Sequence, residues 1–407
     1  MKIGIFTDLY YPLLGGVTSS ILTLKEELVK RGHEVTIVTV KAPGYVDNIQ
    51  DNIIRIPSVK FMDLQVGCYI NPSIMKKLEA MNFDVIHTHT EFLVGMVGAR
   101  IAKKKNIPLL HTCHTIYDVY VNTILSDYHI EGIVSQMFSY IAKKHSKKCD
   151  AVIVPSHKTK EAISSFGINE KISVVPSGIQ INKFFNSKLR SSDIKLLRKQ
   201  LELDGDDRVI LSLSRVTKEK RVDVIIRQFS RVLKKNPNTK LVIVGDGQEK
   251  GKMEELCREL KIDEYVRFTG EISWEKIELY YSIADVFVSA SKVETQGLTI
   301  VEAMASGVPV VVFNDKNILG VVEDRISGRL FSDDEELASI ISEVLSLNKK
   351  ENTMVDKAYD VAKMLSAENY AIRIERLYKE MYFKYPVVKR KPKIRRKRQL
   401  SINSEVG

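Results

Sequence analysis

The feature that most restricts this chain is an alternation of short apolar runs with helical stretches that runs once, stops, and begins again. Ile3-Gly-Ile-Phe-Thr leads through a Gly15-Gly16 loop into helically spaced Val17, Ile21, Leu24 and Leu28, with Gly32 placed to end that helix. Further strands are expected at 34–39, 84–87, 109–112, 150–154 and 171–175, with helical patterns between them. Apolar strands alternating with helices make a doubly wound α/β layer with a parallel sheet. No periodicity continues through 176–185, which therefore reads as a boundary. The alternation restarts at Val209-Ile-Leu-Ser-Leu-Ser, with strands at 241–245, 266–270, 285–289 and 308–313 and a helix running from Trp274 to Ile283. From Asp333 to Glu336 onward the pattern is wholly helical, ending in a helix at 370–383 expected to cross back to the first half.

A chain of 407 residues exceeds what one hydrophobic core usually serves, so two domains are expected. The reading divides it into 1–185, 186–369, the crossing helix 370–383 and a basic tail 384–407. No apolar run approaches the roughly 20 residues of a membrane-spanning helix. The N-terminus enters a strand directly, without a secretory pattern, so a cytoplasmic protein is expected. Cys68, Cys113, Cys149 and Cys257 show no CxxC spacing and are expected to be buried thiols rather than a zinc site or disulfide framework. Net charge is +11, divided as +5 over 1–185, −2 over 186–383 and +8 over 384–407. A tail carrying nine cations and no acid between Lys384 and Arg398 repels itself and is expected to stay extended, available to a polyanion. Nucleic acid and the anionic face of a membrane are the two candidates.

The most informative motif is Glu294-Thr-Gln-Gly-Leu-Thr-Ile-Val-Glu302-Ala-Met-Ala-Ser-Gly-Val-Pro, which runs out of the strand Asp285-Val-Phe-Val-Ser into a helix. Gly297 and Leu298 open that helix, so backbone N–H groups and the positive end of the dipole face outward, where a diphosphate fits. Glu294 stands before the helix, where a carboxylate accepts hydrogen bonds from sugar hydroxyls. Glu302 lies about two turns in, placed to accept from a ribose. Together they describe a site for a sugar nucleotide. Arg215 and Lys220 flank the loop after the second half's first strand, positioned to neutralise a leaving diphosphate; Lys218 and Arg221 share that loop. Gly15-Gly16 lets backbone approach an anion closely, but a tight turn explains it equally well, since it lacks the Gly-x-Gly-x-x-Gly spacing.

His87, His89, His111 and His114 cluster at strand ends, and on spacing alone could bind a metal. Only Glu91 is read as a carboxylate or Cys at ligand spacing beside them. One or two satisfied core histidines plus one active-site histidine is the preferred reading, and no metal is expected. Asp204-Gly-Asp206-Asp207 stands at the start of a strand rather than its end and reads as a turn.

With these residues in place, the sequence resembles a retaining glycosyltransferase of family 4, over nearly the whole chain to about residue 383. The likeness implies a GT-B fold: two doubly wound Rossmann-like domains facing across a cleft, the first binding the acceptor and the second the nucleotide-sugar. It rests on the Glu294-to-Glu302 segment, on Arg215 with Lys220 as the phosphate-binding pair, on Gly15-Gly16 as the N-terminal glycine loop, and on His114 as the histidine near the transferred sugar. It implies that Glu294 holds the sugar's hydroxyls, that Gly297 and Leu298 hold the phosphates through backbone, and that Glu302 holds the ribose. The donor set is then Gly16, Arg215, Lys220, Ile272, Glu294, Gly297, Leu298 and Glu302, with the base near 270–272. His114, Glu294, Arg215 and Lys220 form the catalytic set.

Two details resemble the bacterial diacylglycerol α-glucosyltransferases within that family. Gln296 occupies a position where most members carry Phe, and His114-Thr115-Ile-Tyr117-Asp-Val-Tyr120 is similar to that subgroup's acceptor segment. His114, Thr115 and Tyr117 are accordingly the expected acceptor contacts. The implied reaction moves glucose from UDP-glucose to diacylglycerol with retention. It needs no cofactor and no metal at the diphosphate, and takes place at the inner face of the cell membrane. Lys103-Lys-Lys105 and Lys143 to Lys148 add cations suited to an anionic surface. Other acceptors (a glycosylated lipid, a teichoic-acid or capsule precursor, a small polyol), a sugar-nucleotide epimerase, and a polyanion-binding protein are the alternatives. The last leaves the Glu294-to-Glu302 arrangement unexplained, so no nucleic acid is expected.

Overall fold

Two parallel sheets carry the molecule. The computed structural model describes residues 1–13, 15–47, 51–61, 64–114, 131–165, 167–168, 171–185, 190–315, 318, 320–347 and 353–385. The first sheet contains β1 (Lys2–Phe6), β2 (Glu34–Val40) and β3 (Ile53–Ile56). A separate antiparallel hairpin, β4 (Ser58–Phe61) with β5 (Leu64–Gly67), follows, and the sheet continues with β6 (Val85–Thr88), β7 (Leu109–Thr112), β8 (Ala151–Val154) and β9 (Ile172–Val174). Its order is β3-β2-β1-β6-β7-β8-β9. The second holds β10 (Arg208–Leu213), β11 (Thr239–Val244), β12 (Val266–Phe268), β13 (Val286–Ser289), β14 (Val310–Phe313) and β15 (Arg329–Phe331), ordered β12-β11-β10-β13-β14-β15. Each sheet starts in its middle, builds outward, then reverses. That is the doubly wound order, and two such units in one chain make the GT-B fold.

Side-chain alternation along each strand supplies both faces with apolar groups. Ile3 and Ile5 point into one core cluster and Phe6 into the other; Val209 and Leu211 divide from Ile210 in the same way. Three elements escaped the sequence pattern: β3, the hairpin and β15. β3 and β15 are edge strands of four and three residues, too short for a two-residue period to show.

The last helix spans Ala367–Lys384, with Ser366 at its N-cap accepting from the Asn369 N–H at 3.2 Å, so it begins three residues before the expected start. It buries Tyr370, Ala371, Ile374 and Tyr378 in the first sheet's core, beside Ile3, Ile5 and Leu24. Tyr378 is fully buried, with its hydroxyl 2.7 Å from His87 Nδ1, and the Arg31 guanidinium lies 2.6 Å from Glu375. A helix that follows the second sheet in sequence thus completes the core of the first. The chain crosses between the sheets twice, and the crossings are stitched together: Ile179 N–H donates to the Leu365 carbonyl at 3.0 Å, and Ala367 N–H to the Ile179 carbonyl at 2.7 Å.

Candidate active site

Strand order reverses between β1 and β6 in one sheet and between β10 and β13 in the other. Outside the carboxyl ends of such strands the loops diverge and leave a crevice. The candidate residues lie at or near these ends, except that His114 follows β7 and Ile272 follows β12. After β13, Gly297 takes φ 75° and caps the helix Leu298–Ala305. This left-handed conformation suits glycine, and a Cβ there would lie 2.8 Å from Ile300 Cδ1. After β10, a single turn at Lys218–Lys220 carries Lys220 toward Glu294, and its ammonium donates to Oε1 at 2.6 Å. Both side chains are only about one-sixth exposed, at 17% and 16%. Burial alone would push the Glu294 carboxyl up. The charge and hydrogen bond of Lys220, a hydrogen bond to Ser291 and the charge of Arg215 together hold it below the usual range.

Arg215 is exposed and reaches Glu219 at 3.3 Å. Arg221 is turned away from this group, paired with Asp334 and set 5.5 Å over the Phe313 ring. The N-terminal glycine loop comes up from the other half: a Cβ on Gly16 would lie 3.9 Å from Leu298 Cδ1. Ile272 and Leu298 are both partly buried against the same core cluster of the second sheet.

Glu302 is buried, and its Oε2 accepts from the Tyr281 hydroxyl at 2.7 Å. Burial pushes its carboxyl up to about 7, against the lowering effects of the Tyr281 hydrogen bond and the charge of Lys183. Lys183 belongs to the boundary segment, where no motif or periodicity marks it for a role. Its ammonium lies 3.9 Å from the Trp274 ring centre and 3.9 Å from Glu278, and it donates to the Trp274 carbonyl.

On the first sheet's side, His114 follows β7 and is half-buried, its Nε2 2.8 Å from His89 Nδ1 with the two rings stacked. Burial, then the charge of His111, lowers it to about 4, so it is a neutral hydrogen-bonding group at physiological pH. His89 Nε2 is buried with no hydrogen-bond partner among the described residues. Asp8, at the end of β1, is a second residue the sequence did not flag. It accepts from the Thr90 hydroxyl at 2.6 Å, and burial raises it to about 6. Thr115 and Tyr117 lie outside the described residues.

Two expectations need correction. Cys68 is exposed, unlike the other three cysteines. Cys113 does join the histidine cluster: ligating atoms of Glu91, His111 and Cys113 lie within 4.8 Å of one another, because alternate residues of an extended segment face the same way. His111 is nonetheless engaged at both nitrogens, with Glu91 3.0 Å from Nε2 and the Thr88 hydroxyl 2.9 Å from Nδ1. His87 likewise has Tyr378 and Thr112 on its two nitrogens, each at 2.7 Å. These are hydrogen-bonded core histidines.

The chain that carries this cation–carboxylate pair before a glycine-capped helix matches known families. Residues 14–183 match the family described as Glycosyltransferase Family 4, and residues 193–361 the one described as Glycosyl transferases group 1. The alpha-monoglucosyldiacylglycerol synthase of Streptococcus pneumoniae is 36% identical over 384 residues, covering 93% of this chain and 85% of that protein. The chain belongs to glycosyltransferase family 4. Another member, the alpha-monoglucosyldiacylglycerol synthase of Acholeplasma laidlawii, is 31% identical over 94% of this chain and 97% of its own length. Among solved structures, HepE of Anabaena in complex with UDP and glucose superposes with a TM-score of 0.74 at 20% identity, covering 93% of this chain and all of that one. Sucrose-phosphate synthase of Thermosynechococcus elongatus gives 0.75 at 21%, covering 94% and 99%. At such identities these two show the fold alone.

Proposed function

We propose that the chain transfers glucose from UDP-glucose to diacylglycerol at a membrane surface, with retention at the anomeric carbon, giving alpha-monoglucosyl diacylglycerol. The observation that carries this reading is the Lys220–Glu294 pair at the mouth of the Gly297 helix, in a chain with two relatives, similar over nearly its whole length, that are named for that product. A diphosphate at the helix N-terminus meets backbone N–H groups, Lys220 and Arg215, which stabilise the charge that develops as UDP leaves. No metal is required there in this proposal. The acceptor hydroxyl attacks the anomeric carbon on the face that UDP vacates, and its proton passes to the departing phosphate oxygen. Glu294 then holds sugar hydroxyls, Glu302 the ribose, and neutral His114 orients the sugar.

The acceptor is a lipid, and the surface of the first domain suits one. On the helix Glu131–Ser146, Met137 and Tyr140 are 52% and 63% exposed, and Lys144 lies 5.8 Å over the Tyr140 ring. Met96, on the helix Leu93–Lys105, is 47% exposed, and that helix ends in three lysines. Exposed apolar groups among cations favour an anionic interface. No helix of the described residues is long and apolar enough to cross a membrane.

The test supplies UDP-[14C]glucose and diacylglycerol in phosphatidylglycerol vesicles, then resolves the extracted lipid and its anomeric configuration. The expected product is an α-glucosyl lipid whose rate of formation rises with anionic lipid content. Turnover on a soluble acceptor indifferent to vesicles overturns the lipid assignment. A β-linked product overturns retention.

A further inference from the structure

The loop between Glu294 and Gly297 does more than present those two residues. Between them, Gln296 is buried at 4% exposure, with its carboxamide turned into the crossing between the sheets. There it pairs with both main-chain groups of one residue: Oε1 accepts from the Ser177 N–H at 2.7 Å, and Nε2 donates to the Ser177 carbonyl at 2.7 Å. The Ser177 hydroxyl in turn accepts from Ser20 Oγ at 2.9 Å, and Ser20 Oγ lies 3.2 Å from the Tyr370 hydroxyl. Ser20 stands on the helix Gly16–Lys30, which the N-terminal glycine loop opens. Tyr370 stands on the crossing helix.

The crossing itself leaves little slack. A Cβ at Gly178 would lie 2.6 Å from the Ser366 carbonyl oxygen and 2.7 Å from Tyr370 Cβ, while Ile179 is bonded to both Leu365 and Ala367. A buried amide–backbone pair fixes both distance and orientation. Any movement of the Glu294-to-Gly297 loop must therefore strain these bonds, break them, or carry Ser177 along.

We propose that Gln296 is a positioning residue that locks the donor loop to the interdomain crossing, so that nucleotide-sugar binding at that loop and the relative placement of the two domains are coupled through Ser177. The inference rests on the reading of Glu294 and Gly297 as donor contacts, and it adds the coupling to it. Gln296 itself touches no reacting atom. Its effect is to hold Glu294 in register with groups supplied by the first domain.

Two variants test this in the full chain. Gln296→Met keeps length and approximate volume but loses both hydrogen bonds. Its expected kcat/KM for UDP-glucose falls about tenfold, in line with the loss of a net hydrogen-bond contribution, while KM for diacylglycerol in vesicles stays within twofold of native. Hydrogen exchange read with UDP as the probe should slow over 174–181 in the native chain and not in this variant. Gln296→Glu sets an ionised oxygen against the Ser177 carbonyl at neutral pH but, once protonated, regains a donor. Its donor kcat/KM relative to native should therefore recover as pH falls toward 5.5, and that of Gln296→Met should not. Donor kcat/KM unchanged in Gln296→Met, equal slowing of exchange by UDP in both chains, or no acid recovery in Gln296→Glu overturns the coupling alone. Failure of the native chain to turn over UDP-glucose at all removes the donor reading on which it stands.

Discussion

Replacing Lys220 with methionine keeps the apolar stem and deletes the charge that faces Glu294 at 2.6 Å. Two separable losses are expected. In the folded protein the Glu294 carboxylate loses its closest cation while remaining about five-sixths buried. An exposed pair would contribute up to about 1 kcal/mol, and breaking a fully buried one costs roughly 3–5 kcal/mol. With both side chains mostly but not wholly buried, we expect about 1–3 kcal/mol. At roughly 2–4 °C per kcal/mol for a domain of this size, that lowers the melting midpoint by about 2–12 °C. Catalysis loses something distinct, a charge-assisted hydrogen bond to the departing diphosphate. At about 1.5–3 kcal/mol this corresponds to a fall of about 10- to 150-fold in kcat/KM for UDP-glucose. Initial rates with radiolabelled donor and saturating diacylglycerol vesicles, measured well below the variant's melting midpoint, separate the two. The reasoning is refuted if the variant melts lower yet retains donor kcat/KM within threefold of native. Lys220 would then be a structural partner of Glu294 and nothing more.

Glu302 predicts a pH signature. Its folded-state carboxyl is raised to about 7 from 4.5, so this group's stabilisation is complete below about 4.5 and is lost as pH rises to about 7. Glu302→Gln should erase that component, and denaturant midpoints for native and variant that run parallel from pH 4.5 to 8 would contradict it. Tyr378→Phe strands the buried His87 Nδ1 and should cost about 1–3 kcal/mol of unfolding free energy, read by urea titration. An unchanged midpoint would mean that the Tyr378–His87 hydrogen bond adds nothing to the hold on the crossing helix. Met137→Ser with Tyr140→Ser should lower retention on anionic vesicles severalfold in flotation while leaving UDP affinity by calorimetry unchanged, since both exposed groups lie on the first domain. Equal flotation of variant and native would remove this helix from the interface.

How much of this was legible beforehand follows from the range of each signal. The strands at the sheet centres announce themselves because burial on both faces demands continuous apolar runs, as in Val209-Ile-Leu. The Gly297 cap and the residues around it are equally local: helix start, glycine and carboxylate are neighbours in sequence, so one segment carries the geometry. What stayed hidden is what forms between distant segments. Asp8 is raised only once the fold buries it, and its hydrogen-bond donor Thr90, which pulls the other way, stands 82 residues off. Lys183 meets Trp274 across 91 residues, and Gln296 finds Ser177 across 119. Gln296 shows the division most clearly. Its sequence position marked it as unusual beside two donor residues, yet no periodicity or spacing could show that its carboxamide faces away from the cleft into the chain crossing. The residues expected to touch the donor are close in sequence to a helix start. Those that hold the two halves in register come from segments that only the fold brings together.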